Sequence, residues 1–163
     1  MVLRRAAVTL LAVLGITPSL RACASTYALT PVMSWTDAEA YATSLGGHLV
    51  VIGSQAEQDL LVSEFGGTEP LWIGLNDLQV TGVYQWVDGE PVTYTNWLAG
   101  EPNDFGIEDY GEMNWQQPGK WNNATNLPPG RGIIEFAPEP AAGASLALAA
   151  LSLAALRGRS APQ

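Results

Sequence analysis

The residues of this chain whose types could do chemistry are mainly carboxylates and amides, and many of them lie between residues 88 and 131. Glu108 and Asp109 form an adjacent acid pair, but the chain has a single histidine, His48, and a single cysteine, Cys23, so no nucleophile system accompanies them. Carboxylate and amide oxygens are the ligands that calcium prefers, and calcium takes about six to eight of them. The alternative is that acids and amides in a loop are solvated turn residues. The residue types favour binding over catalysis, and we expect no enzyme.

The charge of the chain argues against nucleic acid as a partner. The 163 residues include 16 acids and seven Lys or Arg, which gives a net charge of −9. Five of the basic residues and one acid lie in the terminal segments 1–24 and 137–163, so the remaining body has two basic residues, 15 acids and a net charge of −13. Such a surface attracts cations and repels nucleic acid and anionic membranes.

Apolar residues at helical spacing predict two helices near the start of the body. The first runs from about Trp35 to Leu45, with Thr36 and Glu39 as its capping box, and the pair of glycines 46–47 ends it. The second begins at Ser54, carries apolar residues including Leu60 and Leu61 on one face, and ends at the glycines 66–67. These two helices must pack on whatever follows them.

The rest of the body contains short apolar and aromatic-rich segments that are typical of β-strands. We predict a buried strand at residues 49–52 and aromatic-rich strands at 71–75, 84–87 and 133–136. Residues 88–131 between them are rich in Gly, Pro, Asn and Trp and are predicted to form a long loop, which is typical of a functional segment. Two helices followed by strands that carry a large loop predict the α+β class.

Seven short motifs follow one another in this body. In chain order they are Gly47-His48-Leu49-Val50-Val51-Ile52 with Glu57-Gln58, Trp72-Ile73-Gly74-Leu75, Trp86-Val87-Asp88-Gly89, Asn96-Trp97, Gly100-Glu101-Pro102-Asn103, Glu108-Asp109 and Trp121-Asn122-Asn123. In this order and at this spacing the body, residues 25–136, resembles a C-type lectin-like domain. The resemblance implies an α+β fold of two helices and short antiparallel sheets, with a long loop that binds calcium and sugar.

The resemblance also implies a site. Its calcium ligands, which contact the sugar as well, correspond to Glu101, Asn103, Glu108, Asn122 and Asn123. A cis peptide bond at Pro102 would turn the side chains of Glu101 and Asn103 towards the same ion. The Glu-Pro-Asn sequence is similar to the version of the family that prefers mannose, glucose, fucose and N-acetylglucosamine.

Two departures from the family pattern bear on calcium. Asn123 stands where the family has Asp, so a negative charge is lost, and we expect affinity in the weak extracellular range, roughly 10⁻⁴ to 10⁻³ M. Asp77, Asp104 and Glu108 match parts of a possible second calcium site, but Thr81 stands where a further acid is common. The second site is therefore the less complete of the two.

The six tryptophans divide into two groups. Five are expected to pack in the core or at the base of the loop: Trp35, Trp72, Trp86, Trp97 and Trp121. Trp115 is the one that we consider for stacking against sugar.

Residues 1–24 predict a secretory signal peptide. Arg4 and Arg5 precede an apolar stretch to about residue 18, and Ala22-Cys23-Ala24 fits a cleavage site that leaves a mature start near Ser25. The alternative is a lipoprotein signal in which Cys23 is kept and lipidated. Either reading predicts export.

Residues 137–163 carry an ordered trio of features. A Pro-Glu-Pro sequence at 138–140 precedes 16 small or apolar residues, 141–156, and then Arg157 and Arg159. A helix of that length spans roughly 24 Å, short of the ~30 Å hydrocarbon layer, so the alternative of a tail anchor is a marginal one. The trio resembles the PEP-CTERM sorting signal of Gram-negative bacteria, which implies a short transmembrane helix and processing by an exosortase.

The functional prediction joins these parts. We expect calcium-dependent binding of mannose- or glucose-type sugars by an exported protein that passes through the inner membrane to the cell surface or extracellular matrix. Its partners are then a glycan or exopolysaccharide, the export and exosortase machinery, and the membrane through the C-terminal helix before processing, with no nucleic acid. The alternative is the same fold used without sugar recognition, as a module for protein–protein adhesion or matrix structure.

Overall fold

The computed structural model describes residues 25–104, 107–127 and 129–137. The predicted signal peptide, and the predicted sorting signal apart from Ala137, lie outside these ranges. Within them, no helix combines the length and the apolar character needed to span a membrane.

Helix α1 (Trp35–Ser44) has its N-cap two residues before the predicted one. Ser34 is the N-cap, and its hydroxyl accepts a hydrogen bond from the Asp37 backbone N–H at 3.2 Å. The prediction of Thr36 and Glu39 as the capping box was therefore wrong. The Glu39 carboxylate instead accepts from the backbone N–H of Leu49 at 2.8 Å, which ties α1 to the short strand that contains Leu49. The helix ends as predicted before Gly46, whose φ is +84°.

Helix α2 (Gln55–Phe65) has the predicted cap and end but a different buried face. Ser54 is the N-cap, and Gly66 ends the helix with a φ of +85°. Leu61 is buried, whereas Leu60 is half exposed, so that part of the predicted face was wrong. Gln58 is buried, and it accepts a hydrogen bond from the indole N–H of Trp121 at 2.6 Å.

The described residues contain seven strands in one sheet. They are β1 (Thr26–Leu29), β2 (His48–Leu49), β3 (Leu71–Asn76), β4 (Gln85–Trp86), β5 (Tyr110–Met113), β6 (Trp121–Ala124) and β7 (Arg131–Phe136). The main path is β1-β7-β3-β5-β6, with β2 beside β7 and β4 beside β3. The pairing of β3 with β7 is parallel and the others are antiparallel. The α+β prediction is confirmed, although β1 was not predicted and β5 and β6 lie inside the segment predicted to be loop.

The core lies around β3, whose six residues are all buried. Gly74 allows the closest approach: a Cβ there would meet the Leu49 carbonyl oxygen at 2.5 Å and the Val87 side chain at 2.7 Å. With β3 buried, β5 is held against it and β6 forms the edge of the path. The register of β5 and β6 sets Glu112 opposite Asn122. This hairpin forms the base of the candidate site.

Candidate functional site

Strand β6 and the segments before β5 supply the predicted site residues. Asn122 and Asn123 lie on β6, Glu101 and Asn103 lie in the loop that begins after Gly100, and Glu108 lies two residues before β5. The backbone N–H of Asn103 donates to the Asn123 side-chain oxygen at 3.1 Å, so the loop is tied to the strand. The fold therefore brings the five predicted residues to one end of the β5–β6 hairpin.

Glu101 and Asn103 face the same way. The Glu101–Pro102 peptide bond is cis, which is the condition under which both side chains were expected to turn towards one ion. The Asn103 amide donates to Glu101 Oε1 at 2.9 Å. The second carboxylate oxygen, Oε2, is buried and accepts no hydrogen bond. A buried carboxylate oxygen without a partner is unusual, and a bound ion is one explanation for it.

Asn123 lies beneath the site with no exposed surface. Its amide nitrogen donates to Asp104 Oδ1 at 2.7 Å and to the Glu108 carbonyl oxygen at 3.0 Å. Its oxygen accepts from the Asn103 backbone, so one side chain holds three points of the loop. An Asp here would replace the donating nitrogen with a second acceptor.

Glu112 is a residue of the site that the sequence reasoning missed. It is buried on β5, and its Oε1 accepts from the Asn122 amide nitrogen at 2.9 Å, which fixes the orientation of that amide. Burial raises the pKa of the Glu112 carboxyl and the carboxylates of Glu108 and Glu101 raise it further, against the hydrogen bond from Asn122. Had the β5–β6 hairpin been predicted, its pairing would have placed Glu112 opposite the candidate ligand Asn122.

A second acidic group lies on the other side of Asn123. Asp77 is buried; its Oδ2 accepts from the Gly82 backbone N–H at 2.7 Å, and its Oδ1 has no hydrogen-bond partner. Burial raises the pKa of the Asp109 carboxyl, and the charges of Asp77 and Asp104 raise it further. The Tyr84 hydroxyl donates to Asp104 at 3.4 Å. Asp77 and Asp104 therefore act electrostatically on Asp109, and the second calcium site of Asp77, Asp104 and Glu108 stays a prediction.

The donor chemistry of the first group suits calcium. Among the described residues, no three His, Cys, Asp or Glu side chains converge as a metal-binding group. The predicted set contains two carboxylates, Glu101 and Glu108, and takes its other oxygens from amides, which calcium accepts. The unpartnered Glu101 Oε2 fits a hard cation, and Asp77 Oδ1, outside this set, has the same feature.

A groove of about 600 Å³ runs over this site. Four of the five predicted ligands line it, together with Glu112; the four are Glu101, Asn103, Glu108 and Asn122. Asp77 and Asp104 do not line it. Its lining also includes Trp115, Leu127 and Pro70. The volume is within the range of small-molecule sites, about 300 to 1,000 Å³.

Comparison with known proteins agrees with the fold. Residues 32–127 match the Lectin C-type domain family. The low affinity immunoglobulin epsilon Fc receptor of Mus musculus is 44% identical over 91 residues, which are 55% of this chain and 27% of the receptor. The cow CD23 carbohydrate-recognition domain, solved in the presence of a GlcNAc2Man3 oligosaccharide, has a TM-score of 0.65 and 32% identity, over 71% of this chain and 90% of that one. A calcium-independent type II antifreeze protein has a TM-score of 0.64 and 28% identity, over 69% of this chain and 86% of that one.

Proposed function

The chain belongs to the C-type lectin domain family, and from that premise we propose that its groove binds neutral sugars of the mannose and glucose type with calcium. One observation carries the proposal: Glu101 Oε2 is buried and without a hydrogen-bond partner, in a Glu-Pro-Asn segment whose Glu101 and Asn103 line the groove. A buried carboxylate oxygen without a partner costs free energy, and a bound cation removes that cost.

The residues of the chain have separate tasks in this proposal. Glu101, Asn103, Glu108, Asn122 and Asn123 would hold the ion. When bound, calcium would supply coordination for two neighbouring sugar hydroxyls. The carboxylate of Glu101 accepts a hydrogen bond from such a hydroxyl, and the amide of Asn103 can donate one. Glu112 accepts from the Asn122 amide nitrogen and so fixes the amide, whose oxygen would serve the ion.

The competing proposal is a C-type lectin module that binds protein or builds matrix without sugar. Asn123 favours it, because its amide already joins Asn103, Asp104 and Glu108 by hydrogen bonds that need no metal. The similarity to an antifreeze protein described as calcium-independent points the same way. We propose no enzymatic activity, since the family is one of lectin domains.

Calcium dependence separates the two proposals. The full chain is expected to bind immobilised mannose in about 10 mM calcium and to elute with a chelator, because the site would be in the weak extracellular range. Its melting temperature is expected to rise with calcium, since an ion that binds the native state stabilises it by mass action. Retention of a protein partner with no calcium effect on melting would favour the second proposal.

The ends of the chain support a place outside the cytoplasm. We propose that residues 1–24 direct export and that residues 137–163 are a PEP-CTERM signal, read by the exosortase machinery after transient residence in the inner membrane. The mature protein then lies at the surface or in the exopolysaccharide matrix. The support is the order of the Pro-Glu-Pro sequence, the short apolar segment and the basic end.

Export and sorting predict where the mature protein begins and ends. The surface-associated protein is expected to begin near Ser25 and to end close to the Pro-Glu-Pro sequence, because the apolar segment is short for a stable anchor. Mass spectrometry of peptides from the surface fraction measures both ends. Peptides that continue through Leu156 would contradict the sorting signal, and a lipidated Cys23 would replace the cleaved signal with a lipoprotein signal.

A further inference from the structure

Trp115 is the tryptophan that the apolar cores do not use. Trp35, Trp72, Trp86 and Trp121 are buried, and Trp97 packs against the core and against Trp121. In the part of the chain that the structure describes, Trp115 belongs to neither buried cluster and to none of the ring pairs. Instead it is half-buried and lines the groove. Its position is therefore not explained by packing of the fold.

The turn that carries Trp115 is held firmly. Asn114 donates to the carbonyl oxygens of Gly66 and Glu69 at 3.1 and 3.0 Å, and it accepts from the Gly119 backbone at 2.8 Å. The backbone N–H of Trp115 donates to the Lys120 carbonyl at 3.0 Å. These bonds fix the turn between β5 and β6 to the loop after α2. A ring carried on a backbone held in this way has less conformational freedom to lose on binding, which lowers the entropy cost.

The charge of the groove restricts what can lie against this ring. Four carboxylates line the groove: Glu101, Glu108 and Glu112, and Glu69, which is paired with Arg131. An anionic ligand would meet this carboxylate field, whereas an uncharged one would not. An uncharged ligand with an apolar face suited to an indole ring and many hydroxyls for the polar side is an oligosaccharide.

We infer that Trp115 forms a second sugar subsite in the groove, and that the preferred ligand is a neutral oligosaccharide of two or more residues. One sugar is held at Glu101 and Asn103, as in the proposed function on which this inference rests. The next sugar lays its apolar C–H face on the indole ring. The same groove then discriminates against glycans that carry uronic or sialic acid.

Titration of the full chain with two ligands in calcium tests the subsite. Wild type is expected to bind an uncharged mannotriose about tenfold more tightly than methyl mannoside, from the added aromatic contact. Trp115→Ala is expected to bring that ratio close to one and to leave the affinity for methyl mannoside within about twofold. Trp115→Phe keeps a ring and is expected to retain part of the preference.

The possible outcomes distinguish failure of the Trp115 subsite from failure of the proposed function on which it rests. Binding of methyl mannoside with no preference for mannotriose, or a preference that survives in Trp115→Ala, would overturn the subsite alone. A trisaccharide bearing a uronic acid that binds as tightly as mannotriose would overturn the neutral ligand class. No binding of either neutral sugar to wild type would overturn the proposed function, and the subsite with it.

Discussion

Glu101→Gln is expected to abolish calcium-dependent sugar binding while the calcium-free protein stays at least as stable as wild type. The change keeps the volume of the side chain and an oxygen that can accept from the Asn103 amide. It replaces the unpartnered, buried Oε2 with an amide, and it lowers the negative charge beside Glu108 and Glu112. Loss of one of two carboxylate ligands is expected to weaken calcium binding by about 100-fold or more.

The informative result is the opposite response of two measurements. Melting without calcium should be unchanged or slightly raised for Glu101→Gln, whereas the rise in melting temperature produced by calcium should disappear. Glu90→Gln is the matched control: it makes the same chemical change at an exposed acid and should leave both measurements as in wild type. If Glu101→Gln keeps the wild-type response to calcium, the ion does not bind at Glu101.

The cap of α1 shows how a local pattern can fit two frames. Ser34 with Asp37 and Thr36 with Glu39 both have a hydroxyl three residues before an acid, so the sequence alone allows either pair as a capping box. The structure uses Ser34 because Glu39 is drawn to the backbone of Leu49, ten residues away. That contact belongs to the tertiary fold, and a pattern read within the helix alone does not include Leu49.

The hairpin of β5 and β6 was missed for a related reason. Its strands contain Gly111, Glu112 and two asparagines, which have low intrinsic strand propensity. Gly111 is required by the neighbouring strand, since a Cβ there would lie 2.8 Å from the Leu75 Cβ. Strand pairing therefore overrides local preference. The family motifs named residues that do gather at this hairpin, but only the strand pairing places Glu112 beside Asn122.

Asn123→Asp is expected to destabilise the calcium-free protein strongly and to tighten calcium binding. Asn123 is fully buried, and its amide nitrogen donates to Asp104 Oδ1 and to the Glu108 carbonyl. A carboxylate there loses both hydrogen bonds and faces two acceptors, at a cost of about 3 kcal/mol or more. For a domain of this size that lowers the melting temperature by more than about 10 °C.

Calcium should reverse this loss of stability, because the cation would be coordinated by the added carboxylate and would neutralise its charge. The calcium-dependent rise in melting temperature is therefore expected to be larger for Asn123→Asp than for wild type, with about tenfold tighter binding by calorimetric titration. Asn126→Asp is the matched control, since its amide donates to the Thr36 hydroxyl, which can turn and donate to a carboxylate instead. If Asn123→Asp leaves calcium affinity unchanged, Asn123 is not a ligand. Its three hydrogen bonds would then be a metal-free clamp that closes the loop, and the module without sugar recognition becomes the better account of the chain.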